Sequence, residues 1–181
     1  MLRTLLLILL AIVAIAVGTV CMQPADFKIS RSLEINASAD KVFELVNNLE
    51  KWEKWSPWQK MDPEMNKSFE GPKSGVGAKM TWSGDMNVGV GSMTILESTA
   101  GQSVKFQLDF EKPMKAINFS EFIFTSSNSK TMVTWTMTGK NDFLGKAMCL
   151  IFNCEKMIGK NFEDGLENLK QVSEVKKSRK R

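Results

Sequence analysis

Leu144–Val172 reads LGKAMCLIFNCEKMIGKNFEDGLENLKQV. Within it Leu144, Met148, Ile151, Glu155, Ile158, Phe162, Gly165, Leu169 and Val172 recur at spacings of four and three. That period lines side chains along one face of an α-helix and predicts a single rod of about eight turns. An apolar face of that length needs an equally long surface to cover it, and the segments before it must supply one.

Working backwards, the chain offers alternating runs separated by turn residues: Asn66–Glu70, Ala78–Ser83, Val88–Glu97, Ser103–Phe110, Ile117–Thr125 and Thr131–Thr138. The breaks between them (GDMN, TAGQ, EKP, SSNSK) have hairpin lengths, so the strands pair antiparallel. No crossover helices intervene, which excludes a doubly wound α/β fold. Earlier still, Asp26–Asn36 alternates as a half-buried strand, with Phe27, Ile29, Arg31, Leu33 and Ile35 on one face. Ser38 is positioned to cap a short helix, Ala39–Asn48, whose stripe is Val42, Phe43, Leu45, Val46 and Leu49.

The order is one strand, two short helices, six strands and a long terminal helix. The predicted class is α+β: a helix-grip fold, in which a curved antiparallel sheet of about seven strands wraps on the C-terminal helix. INASADKVFELVNNLEKWEKWSPW and GKNFEDGLENLK resemble the START-like or SRPBCC superfamily, in its polyketide cyclase/dehydrase and lipid transport branch. The resemblance spans Phe27–Val172. It implies a hydrophobic ligand held between sheet and helix, as in most members; a minority are cyclases or hydrolases.

KWEKWSPWQKM, Lys51–Met61, places Trp52, Trp55 and Trp58 within seven residues. Trp52 and Trp55 are one turn apart and can face the same way; Pro57 then redirects the chain and presents Trp58. The rings either plug one end of the domain as core, the commoner use of aromatic clusters, or form a hydrophobic gate. Trp55, Trp58, Trp82, Phe106, Trp135, Met148, Ile151 and Phe162 are the expected ligand-contacting wall, each equally readable as plain core. The twelve methionines suit an adaptable lining.

Three charges fall in phase with apolar stripes: Arg31 in the first strand, Glu121 beside Phe119 and Ile123, and Glu155 between Ile151 and Ile158. A lone buried charge is prohibitively costly, so an inward Arg31 and Glu155 are expected to pair. Such a pair would be a polar point in an oily cavity, and Glu155 or Glu121 would be the carboxylate of any enzyme. The bland alternative rotates Glu155 to solvent.

Other chemistry is narrowly bounded. The 181 residues include no histidine and no tyrosine. Without His the chain cannot build a Ser-His-Asp or Cys-His site or a His-ligated zinc site. These absences lean against an enzyme, and no cofactor or metal is expected. GDMNVGVG, Gly84–Gly91, sits at a hairpin and is not a phosphate loop. The net charge of +4 is carried by KKSRKR, residues 176–181, and Arg3; the remaining 18 basic and 20 acidic side chains leave the body slightly acidic. No nucleic-acid surface is implied. Cys149 and Cys154, five apart on the expected helix, would point about 140° apart and stay unbridged.

Leu5–Met22 is 18 residues without a charge, about 27 Å as a helix, close to the thickness of a bilayer's hydrocarbon. It exceeds the usual signal-peptide core, so an uncleaved single-pass anchor is expected, in a bacterial inner membrane, with a slight lean to an extracytoplasmic domain. The expected organisation is an anchor (1–23), a helix-grip domain (24–175) and a basic tail (176–181). The function these features favour is membrane-anchored binding of a hydrophobic small molecule or lipid. The alternatives are a cyclase- or hydrolase-like enzyme and an interaction module without a ligand.

Overall fold

The computed structural model describes residues 2–175; the basic tail lies outside the described residues. Seven strands form one antiparallel sheet in the order β1-β7-β6-β5-β4-β3-β2. They are β1 (Asp26–Ile35), β2 (Asn66–Glu70), β3 (Lys79–Ser83), β4 (Val90–Thr99), β5 (Ser103–Lys112), β6 (Ala116–Ser127) and β7 (Lys130–Lys140). The two-residue period decides which side chains face inward. On β6 two phases compete. Asn118, Ser120, Phe122 and Phe124 are buried on the inner face, so Phe119, Glu121 and Ile123 point to the outer one.

Helix α1 spans Leu2–Met22, α2 Ala39–Asn47 and α3 Pro57–Met61, with a 3-10 turn at Leu49–Lys54 between α2 and α3. Ser38 occupies the cap position of α2, but its side chain makes no capping hydrogen bond. The orphan carbonyls at the other end of α2 are satisfied instead. Trp52 Nε1 donates to Val46 O (2.8 Å) and Trp55 Nε1 to Leu45 O (3.0 Å). Each indole thereby buries its rings and finds a partner for its N–H.

The expected eight-turn terminal rod is two helices, α4 (Phe143–Phe152) and α5 (Cys154–Glu174). Asn153 breaks it. Its backbone is left-handed (φ +49°), a conformation Asn tolerates better than most residues. Its Oδ1 then accepts from Lys156 N–H (3.2 Å), capping α5. The break also overturns the reading of the cysteines. In an unbroken helix Cα atoms five apart are about 8.7 Å distant; here Cys149 and Cys154 are 4.7 Å apart and joined by a disulfide.

Helix α5 lies on the inner face of the sheet, chiefly along β1. Phe162, Leu166 and Leu169 are its buried stripe, and Gly165 allows the approach: a Cβ there would stand 2.7 Å from Trp135 Cζ3 and 3.1 Å from Pro57 Cδ. Leu144, Met148 and Ile151 lie on α4 and do not share that stripe. They are exposed, because the chain has turned before α5 begins.

Candidate functional site

Between α5 and the sheet, the space expected to hold a ligand is occupied by aromatic rings. Trp52 stands 4.5 Å from Trp55 by ring centroids and edge-on to Phe106 (5.5 Å) and Phe122 (5.9 Å). Trp135 stacks on Phe122 at 4.6 Å and on Phe162 at 4.0 Å, and Trp58 packs edge-on to it at 5.7 Å. Trp135 Nε1 donates to Ser120 Oγ (2.8 Å), which removes the polar cost of burying the indole. Trp55, Phe106, Trp135 and Phe162 are wholly or almost wholly enclosed, Trp82 is buried, and Trp58 is half-buried at the rim. The structure thus brings together Trp55, Trp58, Trp135, Phe106 and Phe162. It holds Trp82 further along the sheet against Phe110 (5.7 Å).

Met148 and Ile151 are 37% and 72% exposed and lie outside this cluster. The expected pairing of Arg31 with Glu155 forms, with a third member. Arg31 donates through a terminal nitrogen to Glu155 Oε1 (2.9 Å) and through Nε to Glu163 Oε1 (2.7 Å). Glu155, Gly159 and Glu163 are successive i, i+4 positions on α5, and the guanidinium lies against Gly159, where a Cβ would meet it at 2.0 Å. The hydrogen bonds to Glu163 and then Glu155 raise the guanidinium pKa further above its ordinary value. Both glutamate side chains are more than half exposed, so this is a surface clasp between β1 and α5. Glu121 sits on the outer face. Neither candidate carboxylate faces the space between helix and sheet.

A polar atom does face inward, and it is one the sequence reading passed over. Asn118 is buried, and its Oδ1 has no hydrogen-bond partner among the described residues. It lies in the cross-strand row Phe27–Gly139–Asn118. Gly139 makes room: a Cβ there would meet Asn118 Oδ1 at 2.1 Å and Phe27 Cε1 at 2.8 Å. A buried unpaired carbonyl costs on the order of 1–3 kcal/mol. Phe27 also lines a cleft of about 340 Å³ at this end of the domain, walled by Pro24, Asp26, Lys146, Cys149 and Leu150. A second open cleft, of about 400 Å³, runs between α3 and α5 beside Pro57, Lys60 and Met61.

Helix α1 is 21 residues long and contains an 18-residue stretch with a mean hydropathy of 3.0, sufficient by length and composition for a membrane span; an N-terminal signal sequence has the same properties.

Comparison with known proteins agrees with the architecture. Protein CV1439 from Chromobacterium violaceum superposes with a TM-score of 0.59 at 13% identity, covering 82% of this chain and 98% of its own. Protein MLL2253 from Mesorhizobium loti gives 0.60 at 13%, covering 81% and 96%. The di-domain ARO/CYC BexL from the BE-7585A biosynthetic pathway gives 0.64 at 13%, covering 88% of this chain and 54% of BexL. At these identities the likeness is one of fold. No curated protein matches the sequence. Residues 26–174 match the family described as polyketide cyclase/dehydrase and lipid transport. With the whole sheet and helices α2 to α5 inside that match, the chain belongs to the polyketide cyclase/dehydrase and lipid transport family.

Proposed function

We propose that this protein is a membrane-anchored domain that binds a hydrophobic small molecule or lipid, and that the molecule enters at the end of the sheet nearest α1. The family supports hydrophobic ligand binding or cyclase-like chemistry. Anchoring is supported by the length and apolarity of α1. The Cys149–Cys154 disulfide favours an oxidising, extracytoplasmic side for the domain.

The observation that carries the reading is the unpaired Asn118 carbonyl, close to Phe27, which lines the cleft between the α1–β1 linker, the start of β1 and α4. It is a hydrogen-bond acceptor kept at a cost in an apolar wall, the usual design for orienting the polar end of a hydrophobic ligand. The rings deeper in leave little room unless they move, so Trp55, Phe106, Trp135 and Phe162 form the floor of the site, to be entered by rearrangement, with Trp58 at its rim and Trp82 further along the sheet. Arg31 and Glu155 serve it by holding α5 to β1, and Met148 and Ile151 stand on its outer rim.

The test is native mass spectrometry of the full chain released from membranes, with Asn118→Leu beside it. The expected result is a co-purified apolar species on the parent protein and its loss from Asn118→Leu, whose unfolding midpoint holds or rises. A parent protein that carries nothing, and takes up none of the lipids offered to it, would overturn the reading.

A further inference from the structure

Helix α4 is the least explained element of the domain. Phe143, Leu144, Met148, Leu150, Ile151 and Phe152 are all exposed, and Lys146 is the helix's one charged residue. Leu144, Met148 and Ile151 keep the spacing of four and three, so they form a continuous apolar ridge. A soluble surface does not normally leave so many neighbouring large apolar side chains in water.

Where α4 sits says what covers it. Val20, near the C-terminal end of α1, is the buried residue of that helix, and α1 packs against α4. Three residues separate α1 from β1, a reach of at most about 14 Å over four peptide steps. Asn141 N–H donates to Ala25 O (2.8 Å), tying the start of α4 to that same linker. At the other end of α4 the Cys149–Cys154 disulfide fixes the corner with α5. The ridge is therefore held beside the point where α1 leaves the domain.

We propose that α4 is a second membrane contact: a short helix lying in the plane of the bilayer surface, its Leu144–Met148–Ile151 ridge among the acyl chains and Lys146 toward the headgroups. This rests on α1 being a membrane span, and it adds an orientation: the end of the sheet bearing Asn118 and the Phe27 cleft faces the lipid. A hydrophobic ligand then passes between bilayer and cleft without crossing water.

The full chain is reconstituted in phosphatidylcholine/phosphatidylglycerol vesicles with p-benzoylphenylalanine placed in turn at Leu10 in α1, at Ile151, and at Val76, an exposed apolar residue at the opposite end of the sheet. Ultraviolet crosslinks are then read by mass spectrometry. Ile151 is largely exposed, so the replacement leaves the fold undisturbed. Lipid adducts at Leu10 and Ile151, with none at Val76, are the expected result. Adducts at Leu10 alone overturn the role of α4 while leaving the anchor intact. Adducts at Ile151 without Leu10 remove the anchor and keep the contact. Adducts at neither position, or a crosslink from Ile151 to a second copy of the chain, overturn the proposal.

Discussion

Trp135 and Phe162 lie face to face, ring centroids 4.0 Å apart and planes 7° from parallel. This is where β7 meets α5, and Gly165, three residues on, lets the helix settle onto the Trp135 ring. Trp135→Ala removes the stack and leaves a void, at a cost of about 3–5 kcal/mol. Gly165→Ala sets a methyl against the same ring and costs about 1–3 kcal/mol by overpacking. Urea unfolding measures both, and because the side chains touch, the double variant loses less than the sum.

The indoles of Trp52 and Trp55 close the C-terminal end of α2. Trp52→Phe keeps most of the apolar contact but strands the Val46 carbonyl in the core, a loss of about 1–3 kcal/mol. Hydrogen exchange across Ala39–Asn47 should accelerate in the variant. An unchanged profile would mean that packing alone holds the turn.

Arg31 spans two carboxylates at the surface. Exposed pairs are screened by salt. Arg31→Met should therefore cost a small amount of stability at low ionic strength and almost nothing at high. Gly159→Ala, which drives a methyl into the guanidinium, should break the clasp and mimic that salt-dependent loss.

The turn between β3 and β4 is held by Asp85. Its carboxylate accepts from the Asn87 backbone and side-chain N–H groups (2.8 and 2.9 Å) and from Val88 N–H (3.1 Å). These bonds favour the charged form and hold the carboxyl below the ordinary range, the Asn87 backbone bond contributing most. A carboxylate depressed in the folded state contributes stability that is present above its unfolded pKa, about 3.9, and is lost as pH falls through the lower folded value. NMR titration should find Asp85 titrating below an exposed aspartate, and Asp85→Asn should abolish that part of the acid sensitivity.

The disulfide and Asn153 together set the corner between α4 and α5. Cys149→Ser should raise amide exchange in Phe143–Phe152 while Gly159–Ser173, packed on the sheet, stays protected. Equal loosening of both segments would show that the bridge supports the whole fold.

The strands and their pairing were legible because a two-residue period leaves a clear trace, and β1 with its in-phase Arg31 could be read down to the Glu155 partner. The break at Asn153 was not. Leu144, Met148 and Ile151 continue the phase of Ile158, Phe162 and Leu169, and hydrophobic spacing records only that a face is apolar, not what covers it. The visible signal was Asn153 itself, a residue that tolerates left-handed backbone, set next to Cys154. On β6, Glu121 drew attention because Phe119 and Ile123 flank it, but the phase of Phe122 and Phe124 carries more buried ring surface and took the inner face. Asn118 was passed over for a related reason. It stands in that winning phase with Ser120, Phe122 and Phe124, where it reads as a polar interruption until its lack of a partner is seen.

The pairing of β1 with β7 joins the two ends of the domain, Asp26 standing opposite Lys140. On the proposed reading of α1 as a membrane span, that helix is free to enter the bilayer while the first strand still waits for a neighbour made about a hundred residues later, and insertion would precede folding. The domain would then assemble already tethered, and a holdase shielding the unpaired first strand would have to work at the membrane rather than in solution.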